Sequence, residues 1–135
     1  MSSSEGGSVM DKRLEDETEL LRSWWPNLRF KNRWVLLPAY SAPAPIVQDE
    51  VAICFRVKDG HPREAPYGFS VREPIEPAEG GDFNNVTRSD NPPFEGSWLK
   101  FSWKPADWKP GASVQSGANL ANWAQSFHER LEEGE

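Results

Sequence analysis

Val51-Ala52-Ile53-Cys54-Phe55-Arg56-Val57 alternates large apolar residues with a smaller, more polar set. A period of two predicts a strand, with Val51, Ile53, Phe55 and Val57 on one face and Ala52, Cys54 and Arg56 on the other. Lys58-Asp59-Gly60 then turns the chain, and Tyr67-Gly68-Phe69-Ser70-Val71 forms a second strand whose Tyr67, Phe69 and Val71 point one way. Upstream, Leu28-Arg29-Phe30 and Trp34-Val35-Leu36-Leu37 flank Lys31-Asn32-Arg33, a hairpin turn in which asparagine tolerates left-handed backbone angles. These four strands make an antiparallel meander. Pro38 to Pro45 is too rich in proline for a central strand and is expected as an extended connection.

The flanks of the meander are helical. Residues 11–25 place Leu14, Leu21 and Trp25 on one side, with Leu20 and Trp24 adjacent. Asp11, Glu15, Asp16, Glu17 and Glu19 crowd the early turns, where the helix dipole favours negative charge. Pro26 ends this helix. Near the C-terminus, Leu120 to Glu132 sets Leu120, Trp123, Ala124, Phe127 and Leu131 on one face of a closing helix, with Asn119 or Ser116 as its N-cap. Between meander and closing helix, Glu73 to Phe94 is dense in turn formers and reads as a long loop, a candidate flap. Trp98 to Trp103 reads as a short strand or a helical turn, and Lys104 to Gly117 as loop. Helix, meander, long loop, helix is an α+β order, with residues 1–10 a disordered tail and 11–135 one domain.

Composition narrows the functional classes. A chain of 135 residues suits one domain, and seven tryptophans and seven phenylalanines supply much of its core. The single Cys54 excludes an internal disulfide framework, and two histidines make a Cys/His zinc site implausible, so no metal is expected. A reduced, cytoplasmic setting fits. Met1 to Ser8 lacks the basic and apolar regions of a secretory signal, and no stretch approaches the roughly 18 apolar residues of a membrane span. The Asn85-Val86-Thr87 sequon is therefore a chance match. A net charge of −6 with scattered basic residues argues against nucleic acid as a partner.

Two proline motifs carry a resemblance. His61-Pro62-Arg63-Glu64-Ala65-Pro66-Tyr67 is similar to the aromatic-Pro-x-x-Pro-Pro turn between the third and fourth strands of ubiquitin-conjugating enzymes. Gly96, followed by Trp108-Lys109-Pro110, is similar in order and separation to the glycine before the family's active-site residue and the Trp-Ser-Pro after it. The likeness spans residues 11–133, and Trp98-Leu99-Lys100-Phe101-Ser102 has the form found in small bacterial members, sometimes grouped as a prokaryotic family E. The resemblance implies a ubiquitin-conjugating-enzyme-like (UBC-like) fold. It also implies a transferase of a bacterial ubiquitin-like protein conjugation pathway, receiving a carrier C-terminus from an adenylating (activating) enzyme without a cofactor of its own.

The departures set the chemical question. The His-Pro-Asn sequence and the catalytic cysteine of the eukaryotic members have no counterpart here, and counting back eight positions from Trp108 reaches Lys100 between Ser97 and Ser102. In one reading Ser102, or secondarily Ser97, accepts the carrier as an oxyester, with Asn84, Asn85 or Asn91 stabilising the oxyanion. A serine hydroxyl needs a positioned base for this, and the candidates are His61 and His128. In a second reading the domain is a non-catalytic module that binds a ubiquitin-like protein or its activating enzyme through Pro62, Pro66, Trp108 and Pro110. A third keeps Cys54 as nucleophile, against its position in the best strand of the chain.

Overall fold

The computed structural model describes residues 12–43, 46–61, 63–76, 80, 86–89, 91–105, 107–111 and 117–133. The chain runs α1 (Lys12–Trp24), β1 (Arg29–Lys31), β2 (Trp34–Ser41), β3 (Glu50–Arg56), β4 (Phe69–Arg72), β5 (Val86–Ser89), β6 (Trp98–Phe101), α2 (Leu120–Gln125) and α3 (Phe127–Glu133). The architecture is α+β: one antiparallel sheet with helices before and after it. Among the described residues the sheet has six strands, in the order β1-β2-β3-β4-β6-β5, where the sequence predicts four. The four predicted strands are β1 to β4, and the sheet continues beyond β4 with a β5–β6 hairpin whose β6 lies between β4 and β5. The expected loop from Glu73 to Phe94 is accordingly interrupted by a strand, β5.

Three local features of the chain have identifiable causes. β2 runs on through Pro38 to Ser41 because its register shifts between Leu37 and Tyr40, and a bulge accommodates the residue that cannot donate to the ladder. The β1–β2 turn holds both Asn32 and Arg33 at positive φ (51° and 67°), the two-residue geometry that matches strand twist. Arg33 tolerates it because its guanidinium donates to the carbonyls of Val57 (3.0 Å) and Lys58 (2.6 Å). The closing helix is two helices. Asn119 Oδ1 caps the first by accepting from Asn122 N at 2.7 Å. Ser126 interrupts it with a hydroxyl that accepts from Trp103 Nε1 at 2.9 Å and donates to the Trp123 carbonyl.

Alternation in β3 is as the sequence predicts, and both faces are buried. Val51, Ile53 and Phe55 join Val35, Leu37, Phe69, Val71 and Phe101 under the helices, while Ala52 and Cys54 pack with Leu36, Phe94 and Trp98 on the opposite face. Aromatic rings lock the helices to the first face. Phe127 stacks on Phe69 with centroids 4.1 Å apart and meets Phe55 and Trp123 edge-on at 5.8 and 4.7 Å. Replacing Phe127 with alanine should therefore cost about 3–5 kcal/mol, because a ring buried between three others leaves a cavity that the sheet cannot close. Urea unfolding of Phe127→Ala reads this directly.

Candidate functional site

The buried face of α1 falls at Leu14, Glu17, Thr18 and Leu21, so a carboxylate occupies the apolar stripe. Glu17 is fully buried and is satisfied from three directions. Arg13 Nε, one turn earlier, donates to Oε2 at 2.9 Å. His61 Nε2 lies 2.9 Å from the same oxygen, and since a carboxylate only accepts, that nitrogen carries the proton. The backbone N–H of Leu120, the first residue of α2, donates to Oε1 at 2.8 Å. Burial alone would raise the Glu17 pKa, but the hydrogen bonds from His61, Leu120 and Arg13 together outweigh it and hold the carboxyl below its ordinary value.

This network fixes the loop that carries the tryptophan-proline motif. Arg13 also donates to the carbonyls of Gly111 (2.9 Å) and Ala118 (3.4 Å). Those residues flank a bridge between Pro110 and Gly117, and Ala118 N donates to the Lys109 carbonyl at 2.9 Å. The Trp108 ring lies over His61, 6.1 Å between centroids. At the other end of the loop Trp103 Nε1 is bonded to Ser126, and the Trp103 carbonyl accepts from Gly68 N at 2.7 Å. Between this loop and the first turn of α2 opens a cleft of about 480 Å³, walled by Trp108, Lys109, Asn122, Trp123 and Ser126. Half-buried Trp108 forms one side of it.

The remaining predicted site residues scatter. Pro62 lies outside the described residues, as do Asn84 and Asn85. Pro66 is buried, so it offers no contact surface, and Pro110 is occupied in the bridge to Gly117. Ser97 and Ser102 are both exposed but sit just before and just after β6. The five residue steps of extended chain from one to the other span about 16 Å, so they belong to two different surroundings. The Ser102 carbonyl accepts from Arg130 Nε at 3.1 Å, and the Ser97 carbonyl accepts from Glu73 N at 2.8 Å. Among the described residues, neither serine hydroxyl is bonded to a histidine or a carboxylate. His61 is committed to Glu17, and His128 lines a separate surface with Trp25 and Tyr40. Cys54 is fully buried, and burial pushes its thiol far above the ordinary range despite the opposing charge of Arg72. It cannot meet a carrier protein.

The sequence places Glu17 among the acidic residues of the dipole-facing start of α1, and nothing local connects it with His61. The available signal was spacing: Glu17 stands three residues after Leu14 and four before Leu21, inside the apolar stripe.

A carboxylate whose folded pKa is depressed contributes stability that is complete above its ordinary value and is lost as pH falls below it. For Glu17 that window opens just under 4.5. Between pH 6 and pH 3.5 the urea midpoint of the native chain should drop more steeply than that of Glu17→Gln. At pH 7 the variant should be less stable by about 3–5 kcal/mol, as when one member of a buried ion pair is removed. Parallel pH profiles would contradict the assignment of this network. Comparisons of the chain with protein-family models, with curated proteins and with solved structures find no match, so what the site does is read from its own residues.

Proposed function

We propose that this chain is a non-catalytic, ubiquitin-conjugating-like module that binds a ubiquitin-like protein or its activating enzyme through the Trp108 cleft. One observation carries the reading: the Arg13–Glu17–His61 network holds Trp108 and the α2 start in fixed relation, and a cleft opens between them. Tryptophan in a preorganised, partly desolvated setting is the residue type on which interface energy concentrates. Covalent transfer finds less support. A serine nucleophile needs a base within hydrogen-bond reach, but His61 is bonded to Glu17 and His128 lines a separate surface with Trp25 and Tyr40, while the one thiol is enclosed. No helix among the described residues is long and apolar enough to cross a membrane, and the proposed partners are proteins.

The oxyester reading on Ser102 separates from this one by experiment. With an activating enzyme, ATP and a ubiquitin-like protein, the module should form a non-covalent complex and no adduct. An adduct resistant to dithiothreitol, sensitive to hydroxylamine and lost in Ser102→Ala would show transfer chemistry instead. Trp108→Ala should weaken the complex about tenfold or more. Asn122→Arg, which fills the cleft from an exposed helix position, should do the same with little change in melting temperature.

A further inference from the structure

A second cleft, of about 190 Å³, lies on the sheet face away from the helices, and its residues share one chemistry. The register sets Leu36, Cys54, Ser70, Lys100 and Thr87 side by side across β2, β3, β4, β6 and β5. Two residues along, on the same face, Trp34 pairs with Arg56. Gly68 holds φ at 78°, and a Cβ there would stand 3.2 Å from Lys100 Cε, so the lysine stem lies across the glycine. Trp34, Arg56, Lys58, Ser70 and Lys100 thus line one small cleft.

Three cations converge there on a chain whose net charge is −6. Arg56 meets Asp59 at 3.3 Å and Lys58 meets Glu64 at 3.6 Å, both in exposed pairs that a competing anion can displace. Lys100 enters no ion pair among the described residues. The floor is independent of these charges. Ser70 is 2% exposed, and its hydroxyl enters no hydrogen bond among the described residues while lining the cleft. A hydroxyl at the floor of a cleft can donate to an acceptor on a ligand seated there. The Trp34 indole adds a flat apolar wall beside the cations.

We infer that this cleft binds a phosphate monoester carried on a small ring. A phosphate is close to doubly charged at neutral pH and has three strong acceptor oxygens, enough for Lys100, Arg56 and the Ser70 hydroxyl together. The volume lies below the roughly 300 Å³ at which drug-sized pockets begin, so the ligand is a fragment-sized ester.

Phenyl phosphate, inorganic phosphate and phenol are the probes, each titrated at constant ionic strength into the full chain while the backbone amides of Gly68, Ser70 and Lys100 are followed by NMR. Phenyl phosphate should give saturable shifts at these amides and bind more tightly than inorganic phosphate, and phenol should give none. Lys100→Gln and Ser70→Ala should each weaken phenyl phosphate about tenfold, Lys100→Arg should retain it, and Lys109→Gln, on the opposite cleft, should not change it. Shifts that do not saturate, that persist in Lys100→Gln, or that phenol reproduces would overturn the inference. Equal affinity for inorganic and phenyl phosphate would remove the ring from it.

Discussion

A fully buried carboxylate on α1 is the constraint on which the arrangement around Trp108 and the start of α2 depends. Taking an ionised Glu17 out of water is unfavourable unless every acceptor position is met, and the donors come from three places remote in sequence: Arg13, His61 and the Leu120 amide. Each donor brings its own segment. Arg13 ties in the Lys109–Ala118 region, His61 brings the turn after β3 and the ring of Trp108, and Leu120 sets where α2 begins. The loop carrying the tryptophan-proline motif is thereby fixed by polar bonds at its far end and by Trp103 at its near end. Removing any one of these donors would leave the buried carboxylate short of a partner, which ties the positions of the segments to one another.

The second determinant is the placement of β6. Inserted between β4 and β5, it takes its register from both neighbours, Phe69↔Phe101 on one side and Val86↔Phe101 on the other. A strand paired on two sides cannot slide, because a one-residue slip would turn Trp98 and Phe101 away from the opposite faces they fill. Ser97 and Ser102 are held at the two ends of this ladder, and Lys100 is directed to the sheet face opposite the helices. What resembles one continuous active-site segment in the sequence is divided by the sheet into separate environments.

Periodicity made the central elements legible. The alternation of Val51–Val57, the turn at Asn32, the apolar stripes of Leu14–Leu21 and Leu120–Leu131 and the Asn119 cap all stand where their spacing places them. The failures have a common origin in tertiary compensation. Pro38 sits in a strand because a bulge absorbs it, and β5 is only four residues of polar sequence, Val86-Thr87-Arg88-Ser89, stabilised by its partner strand and not by propensity. The break at Ser126 depends on Trp103, twenty-three residues away in sequence. Glu17 shows the same limit at the site. A carboxylate in an apolar stripe is visible in the sequence, but its partners are 44 and 103 residues distant and become neighbours only in the fold.

These constraints also decide what kind of chemistry the fold can host. Nucleophilic transfer requires a reactive group, a base that can take its proton and a third group that orients the base, all on elements held within hydrogen-bond reach. Here the orienting carboxylate and a histidine exist as a bonded pair, Glu17 and His61, but the pair faces inward under Trp108 and holds the loop in place. The serines stand at the ends of β6, with their carbonyls engaged by Arg130 and Glu73, and among the described residues their hydroxyls join no such pair. Redirecting His61 towards a serine would leave Glu17 short of a donor inside the core and release the segments that Glu17 joins. Anchoring of the Trp108 loop and activation of a serine would therefore compete for the same histidine, and in the structure it is bonded to Glu17 beneath that loop.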